Sequence, residues 1–539
     1  MPPVYCMIRR VRGWHQELLF SHQYVVAGGR QANSFVPMRT LKSLGWCCLA
    51  GMLCVQAVKA QPALLQGDSL QRYVRRYMDS MRVPGLAVAV VHDGTVKLVE
   101  GFGWCRQGGV ERVTGTTLFP IASVTKTFTG IALARAEAAG QLQLQDKVTR
   151  WVPAFRPAWE PYASELTVAD VLSHRGGWKI FQGDLLNTES NLTEEELVSR
   201  LSYVQPVYAL RTRFGYSNMG FLLAGQALQA ATGRSWQQYV QDSVLAPAGL
   251  QQTFASLPPA GRYSTATGHL RQGADLVVSP PSIEQPRAYG GMLSSAADLA
   301  SWLQLLLDSG RQGSRQVIPA AAVQKTWWSH TIIGKQMAAD RRLYFKTYGL
   351  GTEIWQYGQH EVIQHGGAGS GILTCVAMVP AQRLGVVVLS NADGHALHEL
   401  LKWQLLDALL GKEAPDYCEQ WLARQRQRRH TANAVAPAAS IPATTEPAPA
   451  LVGRYYSPAY GEAEVQQQTA DTWLLKLAHH PGVTGQLRYL GGHRFECRYS
   501  HPMFGKVVLP ATVQGGQVRG FDLTVDPFVE DGVYRFERR

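Results

Sequence analysis

A chain of 539 residues, 46% hydrophobic and 17% charged, has room for two or three domains with sizeable cores, and its mixed composition argues against a disordered or fibrous protein. The formal net charge of +12 would suit a nucleic-acid binder if the cations formed an aromatic-interleaved surface. They do not: seven Lys and Arg lie in residues 1–60 against the single acid Glu17, and Arg424, Arg426, Arg428 and Arg429 gather on one late helical stretch, so no nucleic-acid partner is expected.

Met38-Arg39-Thr40-Leu41-Lys42 is a short basic segment, followed by an apolar run over 44–55 and small or apolar residues up to Ala60, the pattern of a signal peptide. The run is too short for a comfortable membrane span. Residues before Met38 look unlike a signal peptide, so the expected start is Met38. Cleavage after Ala60 and export to a periplasmic or extracellular compartment are expected, with no stable membrane span; an uncleaved anchor is the alternative. Cys6, Cys47, Cys48 and Cys54 fall in this leader. Cys105, Cys375, Cys418 and Cys497 are widely spaced with no C-x-x-C pair, which argues against zinc and leaves room for one disulfide, Cys105 to Cys375.

The folded part is expected to open with a helix over 68–81, then a strand over 85–92, a turn at Asp93-Gly94 and a strand over 95–104, a strong hairpin signal. Helical patterns follow at 167–173, 194–201, 219–232, 236–244, 296–307 and 320–328, joined by Gly- and Pro-containing loops. Strands are predicted at 349–356, 360–364, 371–379 and 384–389, before a helix over 396–410. Strands at both ends with helices between predict one sheet with a helical subdomain inserted, an α+β fold. Residues 413–449 begin as a basic helix and dissolve into a Pro/Ala-rich linker, and 450–539 alternate short β-like runs with Gly turns, a small all-β domain. The plan is thus a leader over 1–60, a main domain over 61–412, the linker, and the β domain, with few contacts expected across the linker.

The stretch from Leu118 to Gly130 anchors the functional reading. Pro120 ends what precedes it, and Val124, Phe128, Ile131 and Ala132 recur at helical spacing up to Gly140. Ser123 therefore stands at a helix start, with Lys126 three residues on and on the same face. A capping serine explains Ser123 but not the lysine: a capping box wants Glu or Gln there, and a cation in the first turn opposes the helix dipole by roughly 0.3–1 kcal/mol. The lysine makes sense as a proton acceptor for the hydroxyl, its pKa lowered by burial and the positive helix end.

Two further stretches fit that role. Gly215-Tyr216-Ser217-Asn218 precedes an apolar helix: Tyr216 could bond the nucleophile and, near a cation, hold phenolate character, while Asn218 could orient the substrate or the lysine. His365-Gly366-Gly367-Ala368-Gly369-Ser370-Gly371 ends an apolar strand; its glycines permit close approach, and a backbone N–H there could complete an oxyanion hole. Read alone, each is also an ordinary cap or turn.

Together, Ser123–Lys126, Tyr216-Ser217-Asn218 and His365-Gly366-Gly367 resemble the S-x-x-K, S-D-N and K-T-G motifs of the serine β-lactamase/penicillin-binding-protein superfamily. The Tyr-containing middle motif is similar to that of the class C β-lactamase, D-aminopeptidase and esterase branch. So are Val171-Leu172-Ser173-His174-Arg175-Gly176-Gly177, Gly290-Gly291-Met292-Leu293-Ser294-Ser295 and Ala297-Asp298-Leu299, and the resemblance covers about 68–410. Val452-Gly453-Arg454-Tyr455-Tyr456 resembles the small β domain often appended to such hydrolases. The resemblance implies an antiparallel sheet flanked by helices and an acyl-enzyme on Ser123. Lys126 and Tyr216 would share the proton work, the N–H groups of Ser123 and Ala368 would hold the oxyanion, Asn218, His365 and Gly367 would line the substrate site, and no cofactor or metal is called for. The implied partner is a small-molecule or peptide substrate carrying an ester or amide. His365 departs from the K-T-G lysine, so substrates without a carboxylate beside the scissile bond are expected to be preferred, with a gain for anionic ones below about pH 6.5 as the imidazole charges.

Two rivals are weaker. His360-Glu361-Val362-Ile363-Gln364-His365 has the wrong spacing and a β-like setting for a zincin, and no G-x-S-x-G elbow occurs. An exported protein that binds or senses cell-wall peptides without efficient turnover is the non-enzymatic alternative.

Overall fold

A computed structural model describes residues 63–273, 275–280, 285–334, 343–434 and 444–539. The leader, with its proposed signal segment and four cysteines, lies outside the described residues, as does 435–443 of the Pro/Ala-rich stretch.

Helix α1 (Ser69–Met81) leads into the hairpin of β1 (Gly85–His92) and β2 (Thr95–Gly103). The two turn residues, Asp93 and Gly94, both have positive φ, 51° and 69°. That is the backbone twist a two-residue hairpin loop requires, and Asp-Gly supplies it cheaply. Six more strands complete an antiparallel sheet: β3 (Thr331–Gly334), β4 (Leu343–Tyr348), β5 (Glu353–Tyr357), β6 (His360–Gly369), β7 (Ile372–Val379) and β8 (Leu384–Ser390). The spatial order is β2-β1-β8-β7-β6-β5-β4-β3, so the first hairpin pairs with the last strand of this sheet. Sequence alone missed β3 and β4, and β6 runs on to Gly369, past the expected end at 364.

Both faces of the sheet are covered, which is why β1 reads as a continuous apolar run rather than an alternation. Leu86, Val88 and Val90 pack with α1 and with α2 (Leu397–Leu409), whereas Ala87, Ala89 and Val91 join the larger core on the other face. That core is built around the helix Thr125–Ala138, buried on almost every side, against which Trp302 of the helix Ala296–Leu307 stacks on Phe128 at 4.6 Å. The expected α+β architecture, with helices inserted between the first hairpin and the later strands, is the one observed.

The helix Tyr417–Ala434 turns back on the main domain, where the Tyr73 and Tyr77 hydroxyls donate to Asp416 and the Tyr417 hydroxyl donates to Asp407. Beyond it, eight antiparallel strands from Gly453–Ser457 to Tyr534–Arg538 close into a barrel. Inward residues such as Tyr455, Val465, Leu475, Leu487 and Phe536 alternate with outward polar ones. The barrel is not loosely tethered. Its apolar interior is continuous with the core of the main domain, Arg200 donates to the Tyr460 carbonyl and lies 2.9 Å from His479 Nε2, and Glu530 accepts from Gly183 and Leu185. The expectation of few contacts across the linker is therefore corrected. A Pro/Ala-rich connection limits neither the area nor the polarity of what its two ends bury against each other.

Cys105, Cys375, Cys418 and Cys497 are all buried free thiols, so the Cys105–Cys375 disulfide is also corrected: the Cys105 thiol faces Ser264, and that of Cys375 donates to the His398 carbonyl. No helix among the described residues is long and apolar enough to cross a membrane.

Candidate active site

Ser123 lies in a single 3-10 turn, Ala122–Val124, that runs directly into the Thr125–Ala138 helix. Ala122 has φ 44°, in the left-handed region. A non-glycine residue there costs about 1–3 kcal/mol and persists only where its surroundings hold it. Here they do: the Ile121 N–H donates to the Met292 carbonyl at 2.8 Å, and the Thr374 hydroxyl donates to the Ile121 carbonyl at 3.2 Å. Ser123 is left partly exposed while Lys126, one turn on, is fully buried.

The Lys126 ammonium group makes three short contacts. It lies 3.1 Å from Ser123 Oγ, 2.6 Å from Asn218 Oδ1 and 2.7 Å from the Tyr289 carbonyl, with the ring of Tyr216 4.8 Å away. Burial lowers its pKa to about 7, against a smaller upward pull from the Asp184 carboxylate. A substantial neutral fraction therefore exists near pH 7, as the first-turn position of the lysine predicts.

Tyr216 and Asn218 arrive together. Ser217 caps the helix Asn218–Thr232 by accepting from the Gly220 N–H, which places Asn218 at its first position. Behind the loop that precedes them stands Asp170, fully buried, held by Arg175 at 2.6 Å and by Arg211 at 2.8 Å. The Tyr216 ring packs 4.3 Å from that of His174, whose Nδ1 accepts from the Ser217 N–H. Burial raises the phenol well above its ordinary value, an effect only partly offset by the Ser123 side chain. The phenolate character expected of Tyr216 is thus corrected: the tyrosine is a neutral hydroxyl, and the basic group beside Ser123 is the lysine.

The third stretch approaches as a strand edge. β5 pairs with β6 only as far as Gln364, so residues 365–369 pair with β7 on one side and turn their other edge toward the Ser123 turn. The approach is close at Gly367, where an added Cβ would lie 2.4 Å from the Ile121 carbonyl oxygen and 3.2 Å from Ala122 Cβ. Ala368, the next residue, is exposed. Ser123, Lys126, Tyr216, Asn218, Gly367 and Ala368 thus converge from three segments that are far apart in the chain.

The beta-lactamase family model matches residues 70–410. The chain belongs to the beta-lactamase family. It is 25% identical over 349 residues to Protein flp of Staphylococcus aureus (strain NCTC 8325 / PS 47), a match covering 63% of this chain and 66%, just under two thirds, of that relative. It is 27% identical over 378 residues to a Beta-lactamase of Escherichia coli (strain K12), covering 64% of this chain and 93% of that one. Among solved structures, the octameric penicillin-binding protein homologue from Pyrococcus abyssi shares the fold, with a TM-score of 0.57 at 21% identity over 87% of this chain and 98% of that one. Family membership places the chain in the serine-hydrolase superfamily and accounts for the order of its three motifs.

His365 departs from what its place in the third motif led us to expect. It is 2% exposed, with Nδ1 2.6 Å from the Gly366 carbonyl and Nε2 2.8 Å from the Tyr348 hydroxyl. The first contact requires a proton on Nδ1, so Nε2 is the acceptor and Tyr348 the donor. Both nitrogens are engaged by protein groups, and burial, reinforced by the Lys126 charge, pushes the pKa down to about 3. The expected charging below about pH 6.5 does not occur, because the imidazole has neither solvent nor an anion to stabilise its cation.

Three groups at the site were not foreseen. Asp184 Oδ2 accepts from Asn218 Nδ2 at 2.5 Å, the Tyr289 carbonyl accepts from Lys126, and Tyr348 holds His365. His174 lay in a stretch whose resemblance was noted, but its contact with Tyr216 is tertiary. Nothing in the local pattern around Asp184 marks it.

Proposed function

We propose that this protein is an exported serine hydrolase that cleaves an ester or amide through an acyl-enzyme on Ser123. The observation that carries the reading is the 3.1 Å contact between Ser123 Oγ and a buried lysine whose pKa lies at about 7. Neutral Lys126 takes the hydroxyl proton as Oγ attacks the carbonyl carbon, and the N–H groups of Ser123 and Ala368 receive the oxyanion. Tyr216, a neutral phenol whose ring lies 4.8 Å from the Lys126 ammonium, passes a proton toward the leaving group and recovers one from Lys126. Water then attacks the acyl-enzyme by the reverse proton path and releases the acid. Asn218 keeps the lysine aligned, bridging it to Asp184.

The substrate preference follows from His365. The position that carries lysine in K-T-G relatives here holds a neutral imidazole turned toward Tyr348. A charge-assisted hydrogen bond is worth roughly 1.5–3 kcal/mol, and His365, its two nitrogens held by Gly366 and Tyr348, supplies none, so substrates lacking a carboxylate beside the scissile bond are favoured and penicillins turn over slowly. Export rests on the basic-apolar-small pattern of residues 38–60. The test of the activity is labelling by a fluorophosphonate probe, with the adduct located on Ser123 by mass spectrometry, together with turnover of a neutral ester. An unlabelled Ser123, or turnover that survives Ser123→Ala, would sink the assignment.

A further inference from the structure

One buried carboxyl group of the barrel, its pKa pushed up to about 7 by burial, reaches beyond the barrel. Glu530 lies between the last two barrel strands and is 2% exposed. Its Oε1 accepts from the Gly183 N–H at 2.8 Å, and its Oε2 accepts from the Leu185 N–H at 2.9 Å and the Tyr534 hydroxyl at 3.0 Å. The two backbone donors belong to the residues on either side of Asp184. The carboxylate therefore grips the turn that carries Asp184 from both flanks. From there the path is short: Asp184 Oδ2 to Asn218 Nδ2 at 2.5 Å, then Asn218 Oδ1 to Lys126 Nζ at 2.6 Å.

A domain contact does not need such a group. Burying a carboxylate costs several kcal/mol unless its hydrogen bonds are met in full, and an apolar side chain would dock two domains with no such penalty. The apolar contact already exists, since the two cores are continuous, and Arg200 makes a second polar contact between the domains. What Glu530 adds is a fixed position for the backbone of 183–185.

We propose that Glu530 is a positioning residue for Lys126, acting from the barrel through the 183–185 turn, Asp184 and Asn218, so that the C-terminal domain completes the active site of the hydrolase. The inference rests on the proposed serine-hydrolase function. Besides Asp184, the titratable groups facing Lys126 are Tyr216, Tyr289, His174 and His365, and among these five Asp184 is the one that draws the lysine pKa upward. A turn released from Glu530 lets Asp184 withdraw, which misaligns Asn218 and moves the proton loss of Lys126 to lower pH.

The experiment is the rate of Ser123 acylation by a fluorophosphonate probe across pH, in the full chain. The proteins compared are wild type, Glu530→Gln, Asp184→Asn, the double variant, and Arg200→Ala. Misplacement by a fraction of an ångström costs roughly 10- to 100-fold, so Glu530→Gln, nearly isosteric and with one acceptor left, should slow acylation by about tenfold or more. Its acid limb should move down in pH. In the Asp184→Asn background the same change should add less than about twofold, because the two residues act in series. Arg200→Ala should lower the melting temperature and leave the limb where it is. The proposal is overturned if Glu530→Gln acylates within about twofold of wild type with an unmoved limb, if its effect multiplies with that of Asp184→Asn, or if Arg200→Ala shifts the limb equally. Should Glu530→Gln fail to fold, Glu530→Asp, too short to reach both amides, takes its place: acylation slowed about tenfold or more with the limb moved down supports the path, and a rate within about twofold of wild type with an unmoved limb refutes it. Wild type that never labels at Ser123 would remove the proposed function itself, whereas a labelled wild type with an indifferent Glu530 removes only this inference.

Discussion

Gly367→Ala probes the site with a single methyl group. Its Cβ would lie 2.4 Å from both the Ile121 carbonyl oxygen and Thr374 Oγ1. Carbon and oxygen do not approach much within 3 Å, so the strand edge and the Ser123 turn must part by about 0.6 Å or more. Neither neighbour yields easily: Ile121 is tied through its N–H to Met292, and Thr374 is fully buried in the adjacent strand. The movement separates the Ala368 N–H from the Ser123 N–H, the two donors assigned to the oxyanion. Losing one such donor outright costs about 10²–10³ in kcat, or about 2.7–4 kcal/mol, and a partial displacement should cost roughly 10- to 100-fold. Overpacking should lower stability by about 1–3 kcal/mol as well. The assay is kcat and KM on a neutral p-nitrophenyl ester, with thermal unfolding in parallel. The loss should fall on kcat, since the oxyanion develops only in the transition state. A variant that keeps kcat within about twofold of wild type while losing the expected stability would show that the strand edge at 367–368 takes no part in the chemistry.

Ser123→Ala should abolish acylation with the fold intact, because the side chain is partly exposed at a helix start. Lys126→Ala and Tyr216→Phe should each lose most of the rate, and the double variant little more, since they handle one proton; full additivity in kcat/KM would refute the shared role. The acid limb of kcat/KM should lie near the lysine pKa of about 7 and move to lower pH in Asp184→Asn, where the anion that favours the charged lysine is gone; an unmoved limb would mean another group sets it. The same depressed pKa makes the buried ammonium a burden on the fold: between about pH 7 and the ordinary lysine value the unfolded chain holds the proton more tightly, so stability from this group rises with pH across that window. Lys126→Met should lack that rise, which denaturant melts at pH 7 and 9.5 would show or deny. Because His365 titrates at about 3, the ratio of kcat/KM for matched neutral and carboxylate-bearing esters should stay level from pH 8 to 5; a growing preference for the anion on acidification would mean that the imidazole charges after all.

What the sequence determined by itself is whatever depends on neighbours along the chain. The Asp93-Gly94 hairpin, the helices Glu194–Leu201 and Ala296–Leu307, and the helix start that sets Ser123 and Lys126 on one face follow from turn chemistry, caps and periodicity, and these are local effects. The lysine's low pKa was also foreseeable, since a cation in a buried first turn has nowhere to be solvated. Other features come from groups that meet only after folding. His365 looked like an imidazole that charges below about pH 6.5, and became an inward neutral acceptor because Tyr348, on a strand missed by periodicity, reaches its Nε2. Tyr216 looked like a phenolate beside a cation; burial, which no local pattern reports, outweighs that attraction. The barrel looked like an appendage on a proline-rich tether, yet Glu530 crosses to the Gly183 and Leu185 amides, 347 and 345 residues away in the chain. Composition describes a linker's stiffness and not the surfaces it connects. Secondary structure placed the serine and the lysine; desolvation and long-range hydrogen bonds, which exist only in the packed molecule, decided the protonation state of every group around them.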